Sequence, residues 1–404
     1  MKRFIMLFVI CFTIICVTAC SNSTTMTIEF VTNGGSECES ITVAKNSAFE
    51  LPVTVKDGYN FYSWYLDEGF TEKYDEETTL KRDTTLYARW IVGEAISTLE
   101  ELINIKNNLS GIYELVNDID CGGIEFDTIG VNETEPFSGV FNGGGFVISN
   151  FVARNDIYTG LFGYNTGTIK NLNISGAFIE SYTPYTYEVF YTGYIVGFNS
   201  GTIEQCTVCD ANIKVEIKSG EENSICGIRS GLIAGHNSGI IRNCFTTGSV
   251  AIENTKLIAN VYIRAGGIVG ENRGEIENCM VNVSLSSKAT YHRGMLESTR
   301  GEAGAISAVN EKGAVILNCV VLGTVYGNYD DGDICSRNSG TIGNCYNGID
   351  PASCKLSYIR GTTTTMEELR NTEFYSKSLH WLNTIWNYND VNIEEGKYPT
   401  LYQK

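Results

Sequence analysis

Short apolar stretches alternate with Asn- and Gly-rich turns through most of this chain, and one pattern repeats six times in its second half. Each repeat runs from a Gly-rich strand through Asn-x-Gly and a short apolar strand to Asn or Gln followed by an apolar residue. Spacings between repeats run from 26 residues (345−319) to 40 residues (319−279), which is typical of a solenoid with one coil per repeat. The apolar residues that end the repeats are Leu172, Cys206, Cys244, Cys279, Cys319 and Cys345.

The alternation inside one repeat predicts where each side chain points. In residues 274–279, Ile276 faces inward, Glu277 outward, and Cys279 inward again after a bend at Asn278. Asn tolerates the left-handed backbone conformation of such a bend, so it recurs there. Stacked coils therefore predict one column of bend residues: Asn171, Gln205, Asn243, Asn278, Asn318 and Asn344. The Asn-x-Gly turns predict a second column: Asn165, Asn199, Asn237, Asn272, Asn310 and Asn338.

Helical spacing of apolar residues replaces the alternation at both ends of the repeats. At residues 94–109, Ser97 and Glu100 stand at the spacing of a capping box, and we expect a helix that covers the open edge of the first coil. Thr365 and Glu368 form another such pair, and the tryptophan-containing segment 361–404 is expected to cover the last coil. The solenoid, including its first cap, then spans residues 94–360.

A separate run of strands and turns occupies residues 26–91. Trp64 and Trp90 supply the core that so small a module requires. This segment resembles the Listeria-Bacteroides repeat, the family of the internalin B-repeats, which implies a β-grasp module on a bacterial surface protein. The chain is therefore predicted to be all-β, with a small β-grasp-like module followed by a parallel β-helix solenoid with helical caps.

The repeats themselves resemble a second family. The tetrapeptide GLFG at residues 160–163 is an instance of the GLUG motif, and the likeness extends over about 190 residues. The resemblance implies a bacterial surface or secreted protein, and it assigns the motif no catalytic role.

The N-terminus has the order of a secretory signal. Lys2 and Arg3 precede an apolar run at residues 4–17, which is too short to span a bilayer comfortably. The sequence VTAC that ends at Cys20 resembles the lipobox of bacterial lipoproteins, which implies cleavage after residue 19 and lipidation of Cys20. Secretion without a lipid is the alternative. We expect a signal at 1–19, a lipidated linker at 20–25, and a chain at the bacterial cell surface that meets the membrane only through this lipid.

Charge and cysteine content narrow the classes of partner. The net charge is −18, and loss of the two basic residues of the signal makes it −18−2=−20, which argues against nucleic acid as a partner.

Of 14 cysteines, 14−3=11 remain after the signal and the lipid, and an odd number cannot all pair. We expect an interior column of reduced thiols at the repeat cysteines. The alternative is that some of them form disulfides, since adjacent coils are close enough for a disulfide bond.

No catalytic constellation stands out. The three histidines are scattered and His-Glu-x-x-His is absent, so a zinc peptidase is not expected. Cys206 and Cys209 have redox or metal spacing, but Cys206 belongs to the interior column, which favours packing. The acidic turn with Asp330, Asp331 and Asp333 is a weak candidate for calcium, and a solvated turn is the simpler interpretation.

Residues beyond the length of one coil form insertions, which should emerge on one face. They are rich in Tyr and Arg, which favour binding, although the aromatics could instead cover their own loops. The ligand-binding candidates are Tyr182, Tyr185, Tyr187, Phe190, Tyr191, Tyr262, Arg264, Tyr291 and Arg293. The favoured function is an adhesin-like binding or display scaffold for an extracellular glycan or a host or matrix protein, without a cofactor. A β-helix polysaccharide lyase or hydrolase, and a structural spacer without ligand, are the alternatives.

Overall fold

The computed structural model describes residues 24–154, 157–182, 188–216, 225–254, 260–289, 300–349 and 356–402. The chain divides into two compact units between Ile91 and Val92. It is an all-β protein, with a β-grasp-like module followed by a parallel β-helix, as the alternation predicted. None of the helices in the described part of the chain has the length and apolar content needed to span a bilayer.

The N-terminal module is one four-stranded sheet of order β2-β1-β4-β3. The first and last strands pair in parallel at its centre, and the other two pair antiparallel at its edges. Trp64 is buried in the core, whereas Trp90 is half-buried and its indole nitrogen donates to the Thr32 carbonyl at 2.7 Å. The strands are β1 (Thr25–Val31), β2 (Ile41–Ala44), β3 (Asn60–Tyr65) and β4 (Thr84–Ile91).

The solenoid begins with a shorter helix than the sequence predicted. Residues at the start of the predicted 94–109 helix form strand β5 (Glu94–Ile96), and helix α1 covers only Leu99–Asn104, followed by a 3-10 turn at Ile105–Asn107. The capping box assigned to Ser97 and Glu100 was wrong by one residue, because Thr98 and Glu101 form it. Strand pairing of β5 fixes the chain direction, so the helix starts only after that strand ends.

Two irregular coils follow the cap and six regular ones complete the solenoid. The irregular part contains β6 (Ile112–Leu115), β7 (Ile119–Asp120), β8 (Glu125–Asp127), β9 (Val140–Asn142), β10 (Val147–Ser149) and β11 (Val152–Arg154). The regular part contains β12 (Tyr158–Thr159), β13 (Phe162–Asn165), β14 (Thr168–Lys170), β15 (Asn173–Ser175), β16 (Phe178–Tyr182), β17 (Val189–Thr192), β18 (Val196–Asn199), β19 (Thr202–Glu204), β20 (Thr207–Glu216), β21 (Ile225–Gly231), β22 (Ala234–Asn237), β23 (Ile240–Arg242), β24 (Phe245–Asn254), β25 (Asn260–Gly266), β26 (Val269–Asn272), β27 (Glu275–Glu277), β28 (Met280–Ala289), β29 (Arg300–Gly304), β30 (Ser307–Asn310), β31 (Val315–Leu317), β32 (Val320–Gly327), β33 (Asp330–Gly332), β34 (Arg337–Asn338), β35 (Thr341–Gly343) and β36 (Tyr346–Asn347).

Four parallel sheets form the faces of the solenoid. Face A has the order β12-β17-β21-β25-β29-β33, and face B has the order β13-β18-β22-β26-β30-β34. Face C runs from β35 through β31, β27, β23, β19, β14, β9 and β6 to β5. Face D contains β36, β32, β28, β24, β20, β15, β10 and β7, with β16 paired to β20. One coil visits the faces in the order A, B, C and D, so a residue on one face lies beside its counterpart in the next coil.

Both predicted columns of bend residues are confirmed. The first column has φ between 51° and 54° from Asn171 to Asn344, which is the left-handed region that Asn tolerates. In the second column each Asn Nδ2 donates to the Oδ1 of the next coil at 2.8–2.9 Å, from Asn165 to Asn338. The repeat cysteines are buried inside, and all ten cysteines among the described residues are free thiols.

The C-terminal segment packs along the side of the solenoid. After strand β37 (Thr362–Thr363), which extends face D, helix α2 (Met366–Arg370) starts at the predicted capping box of Thr365 and Glu368. The chain continues through a π turn at Phe374–Ser378, β38 (Trp386–Asn387), a 3-10 turn at Ile393–Glu395 and β39 (Thr400–Leu401). Its aromatic residues pack on an outward row of face D: Phe245, Met280, Val320 and Tyr346.

Candidate ligand-binding surface

Outward-facing side chains of faces A and B meet along the corner between these two sheets. On face A the strand register places Tyr158, Tyr191, Arg229, Arg264, Glu302 and Asp330 in one row. On face B it places Tyr164, Phe198, His236, Glu271, Val309 and Arg337 in another. We call these two rows, together with Arg273 beside Glu271, the A/B strip. Six coils contribute to it, so it spans roughly 24 Å at about 4.8 Å per coil.

One half of the A/B strip is aromatic. Tyr164 stacks on Phe198 with ring centroids 4.7 Å apart, and Phe198 stacks on His236 at 4.2 Å. Across the corner, Tyr158 and Tyr191 stack at 5.4 Å, and the Tyr191 ring meets the Phe198 ring edge to face at 5.3 Å. These rings are half-buried by one another and leave part of their surface to solvent, except for the buried His236. Such a platform suits a flat, partly apolar ligand surface.

The other half is an ion-pair network around two buried glutamates. Glu271 is fully buried, and its carboxylate accepts hydrogen bonds from Arg229, Arg264 and, at 2.9 Å, Arg273. The carboxylate of Glu302 lies 3.2 Å from Arg264 Nε and 3.3 Å from Arg337 Nε. Four arginines therefore face these two glutamates, and with Asp330 included the A/B strip carries 4−3=1 net positive charge on a chain of net charge −18.

The electrostatics keep this network charged and its aromatic neighbours neutral. Burial raises the pKa of Glu271, but the positive charges of Arg229 and Arg264 lower it by more, so the net shift of this pKa is downward. Burial lowers the pKa of His236 to about 4, against the attraction of Glu271, so the imidazole is neutral at pH 7. Burial also raises the pKa of Tyr158 to about 12. The charges available to a ligand at neutral pH are therefore those of the arginines and carboxylates.

Two buried polar atoms in the A/B strip lack a hydrogen bond within the described residues. They are His236 Nδ1, which lies 3.7 Å from a Glu271 oxygen, and Glu302 Oε1. A buried polar group without a hydrogen bond is uncommon in folded proteins and is often found at functional sites. We therefore treat this corner of the solenoid as its candidate binding surface.

The structure brings two of the sequence-predicted residues into the A/B strip. Tyr191 lies in the aromatic half, with Arg229 over its ring at 5.3 Å, and Arg264 lies in the ion-pair network. Tyr262 is on the same outward face of A, in the neighbouring row opposite Arg300. Phe190 was wrongly assigned to the surface, because strand alternation in β17 turns it inward, where it is 1% exposed. Tyr185, Tyr187, Tyr291 and Arg293 lie outside the described residues, as does the side chain of Tyr182.

The insertions that carry those residues leave the solenoid at one corner. The undescribed stretches 183–187, 217–224, 255–259 and 290–299 each connect a strand of face D to the next strand of face A. These flanking strands pair in register from coil to coil. The prediction that insertions emerge at equivalent points of successive coils is confirmed for the residues that bound them.

Sequence reasoning missed most of the A/B strip. Phe198, His236, Glu271 and Glu302 were not singled out, because each lies inside a repeat and not in an insertion. A usable signal was present, since the residue before the second-column Asn is Tyr164, Phe198, His236, Glu271, Val309 and Arg337 in successive repeats. A variable, bulky or charged residue at a fixed outward position beside an invariant one indicates a surface that the repeat does not need for folding.

The acidic turn does not assemble a cation site in the described structure. Asp331 accepts a hydrogen bond from the Ser357 amide, and Asp333 accepts from the amides of Arg360 and Gly361. Asp330 faces outward at the end of the A/B strip. Within the described residues, no three His, Cys, Asp or Glu side chains are grouped to hold a metal ion. Calcium binding there stays a prediction, and the backbone contacts give Asp331 and Asp333 a structural role.

Comparison with known proteins places one part of the chain in a family. Residues 27–89 match the Listeria-Bacteroides repeat domain. Two proteins of Evansella cellulosilytica are similar to this chain. One, named "Putative membrane protein", is 38% identical over 76 residues, which cover 18% of this chain and 11% of that protein. The other, named "Putative Gly-rich membrane protein", is 41% identical over 66 residues, which cover 16% of this chain and 8% of that protein. The chain thus spans about a tenth of the length of these relatives.

A solved structure shares the fold of most of the chain. It is described as a "putative immunoglobulin A1 protease" from Bacteroides ovatus, and it superimposes with a TM-score of 0.50 at 21% sequence identity. The match covers 77% of this chain and 92% of that chain. At this identity the likeness establishes the fold, and the function must be argued from the A/B strip.

Proposed function

We propose that this protein is a bacterial cell-surface lipoprotein that acts as an adhesin-like binding or display scaffold, and that the A/B strip binds its extracellular glycan or protein ligand. In this proposal the lipid on Cys20 is the anchor and the solenoid repeats are of the GLUG type. The observation that carries it is the A/B strip itself, where an aromatic platform continues into a locally positive arginine network.

The buried charges favour a binding surface over a plain spacer. Burying a carboxylate such as that of Glu271 is costly even when it is paired, and an apolar residue of similar size often stabilises a protein as well or better. A spacer has no need of this network. A surface that must hold several arginines in fixed positions does need it, because the carboxylates orient the guanidinium groups.

The same network disfavours a glycosidase. Such enzymes use one carboxylic acid with a raised pKa and a second carboxylate placed opposite it. Here the pKa of Glu271 is lowered, and Glu302 is engaged by two arginines. Neither glutamate has the raised pKa of a general acid. Burial does raise the pKa of Asp330, the third carboxylate of the A/B strip, so the assay below also scores turnover.

The test is a binding and turnover assay with the ectodomain, residues 24–404. Immobilised polysaccharides, mucins and host matrix proteins are scored both for retention of the protein and for shortening of the target. We compare wild type with Tyr164→Ala in the A/B strip and with Tyr326→Ala, an exposed tyrosine on face D. We expect the targets to retain the protein without being shortened. The affinity should be about tenfold weaker for Tyr164→Ala, which corresponds to about 1.4 kcal/mol of binding free energy, and unchanged for Tyr326→Ala.

The other outcomes each contradict the proposal. Shortening of a target would identify an enzyme. Equal retention of both variants would move the binding surface away from the A/B strip, and no retention on any target would favour the spacer.

A further inference from the structure

Two exposed arginines in the A/B strip each place one nitrogen beside a buried glutamate, Arg273 in a hydrogen bond and Arg337 in an ion pair. Arg273 Nε donates to Glu271 at 2.9 Å, and Arg337 Nε lies 3.3 Å from Glu302. The arginine side chains are 57% and 41% exposed, whereas the two glutamates are almost fully buried. Within the described residues the terminal nitrogens of both guanidinium groups make no hydrogen bond. Each arginine is thus oriented from behind and presents a planar pair of donors to solvent.

The two arginines flank the second-column Asn of their own coils, Arg273 after Asn272 and Arg337 before Asn338. Glu271, Val309 and Arg337 are register partners in three successive coils, so the coils that carry Arg273 and Arg337 are two apart. That separation is roughly 10 Å at about 4.8 Å per coil. The aromatic pair of Tyr164 and Phe198 continues the same face B row in the opposite direction. A ligand that follows this row meets aromatic rings first, then Arg273 beside the row at Glu271, and then Arg337 in the row itself.

We propose that the A/B strip binds an anionic polysaccharide whose chain runs along the solenoid axis. Its carboxylate or sulfate groups pair with Arg273 and Arg337, and its sugar rings lie on Tyr164 and Phe198. This inference rests on the proposed binding function and narrows its ligand to a polymer with recurring acidic groups. Arginine suits such a ligand because its planar donors match a carboxylate or sulfate bidentately.

The net charge of the whole chain limits where an anionic polymer can bind. A net charge of −18 repels a polyanion at long range, so attraction has to arise from the locally positive A/B strip. The interaction is therefore confined to that corner, and removing its two exposed arginines should abolish most of the affinity for acidic chains.

The experiment measures binding of the ectodomain to polygalacturonate, hyaluronan, dextran sulfate and neutral dextran. Polygalacturonate is also used after chemical reduction of its carboxyl groups, which keeps the chain and removes the charge. The test variant carries Arg273→Gln and Arg337→Gln. The control is Arg242→Gln, since Arg242 is an exposed arginine on face C, away from the A/B strip, that is also paired with a glutamate of the preceding coil, Glu204. Melting temperatures of all variants are compared to confirm folding.

We expect at least one acidic polymer to bind and neutral dextran not to bind. The double variant should lose affinity by about tenfold or more, because two charge-assisted contacts are removed, and the Arg242→Gln control should bind like wild type.

Four results would overturn the inference. Binding of none of the three acidic polymers rules out the ligand class. Equal binding of reduced and native polygalacturonate makes the charge irrelevant. Equal loss in the Arg242→Gln control assigns binding to general charge and not to the A/B strip. Retention on a neutral glycan or a protein that depends on Tyr164 but not on Arg273 would refute the acidic ligand and leave the proposed binding function intact.

Discussion

Glu271 shows how single residues organise this surface. Its carboxylate is fully buried and contacts three arginines from three strands or bends, so it links coils through charge as well as through backbone hydrogen bonds. Removing one partner of such a buried ion pair destabilises a protein far more than replacing all the charged partners by apolar residues. The glutamate therefore acts on a ligand through the arginines that it positions.

His236 is a buried titratable residue at the centre of the A/B strip. It stacks on Phe198, and the charged or titratable groups that face it are Tyr191, Glu271 and the three arginines of that carboxylate. Burial is the largest cause of its lowered pKa of about 4. The imidazole is thus neutral in the folded protein at pH values where the unfolded chain already binds a proton.

The first prediction concerns stability between pH 7 and pH 5. Because the folded pKa of His236 is depressed below its unfolded value, stability from this residue is present above about pH 6.5 and falls as the unfolded state takes up a proton. The loss by pH 5 should be about 2 kcal/mol. Urea unfolding of wild type and His236→Gln at both pH values measures it, and the variant should lose about 2 kcal/mol less. Exposed His380→Asn is the control. A wild-type pH dependence in His236→Gln would refute the assignment.

At the scale of elements, the second Asn column joins successive coils by side chains. Asn237 is fully buried, accepts from Asn199 at 2.8 Å and donates to Asn272 at 2.9 Å. It also bonds the backbone of Gly239 within its own turn. The column therefore fixes both the turn geometry and the register between coils.

The second prediction compares the middle and the end of this column. Asn237→Ala removes the hydrogen bonds to Asn199 and Asn272 and those to the backbone of Gly239 and Glu275, so it should destabilise the solenoid by about 2–3 kcal/mol. Asn338→Ala, at the half-buried end, should have an effect of about 1 kcal/mol or less. The shift of the urea midpoint gives both values. A similar shift for the two variants would mean that the column contributes through turn propensity alone.

These elements also show what the sequence can and cannot predict. The repeat positions of Asn278 and Cys279 were correct, because a constraint that recurs in every coil leaves a periodic signal. The cap helix was placed too early because the pairing of β5 over residues 94–96 is not visible in the sequence, and the capping box was misplaced because Ser97 and Thr98 both precede an acidic residue by three. The A/B strip was missed because most of its contacts join residues that are 33 to 42 positions apart in sequence, from Tyr158 with Tyr191 to Arg229 with Glu271.

At the scale of the whole solenoid, the faces have different partners. Face D is covered by the C-terminal segment, through Phe245 against Tyr398 at 5.6 Å and through Tyr346 against Phe374 at 4.9 Å. Asn282 also donates to the Tyr398 hydroxyl at 2.6 Å. The corner between faces A and B carries no such cover from the described residues. Among the described residues, the C-terminal segment thus covers the apolar outer row of face D, whereas Arg273 and Arg337 of the A/B strip stay exposed.

The third prediction tests this lateral cover. Trp386 is fully buried and stacks on Trp381 at 4.3 Å, and Trp381 donates to the Asn318 carbonyl at 2.9 Å. Trp386→Ala should weaken docking of the segment by about 3–5 kcal/mol, since it empties the centre of that cluster. The exposed apolar row would then bind a hydrophobic dye, and trypsin would cut after Arg370 or Lys377.

The control lies in the same segment, since Leu382 is 61% exposed and its replacement by Ala should change neither dye binding nor cleavage. Binding of acidic polymers at the A/B strip should persist in Trp386→Ala, because faces A and B keep their own ladders and ion pairs. If the variant instead lost ligand binding together with the docked terminus, the two surfaces would form one cooperative unit. Unchanged dye binding and resistance to trypsin would show that the apolar row of face D does not depend on the terminus for its cover.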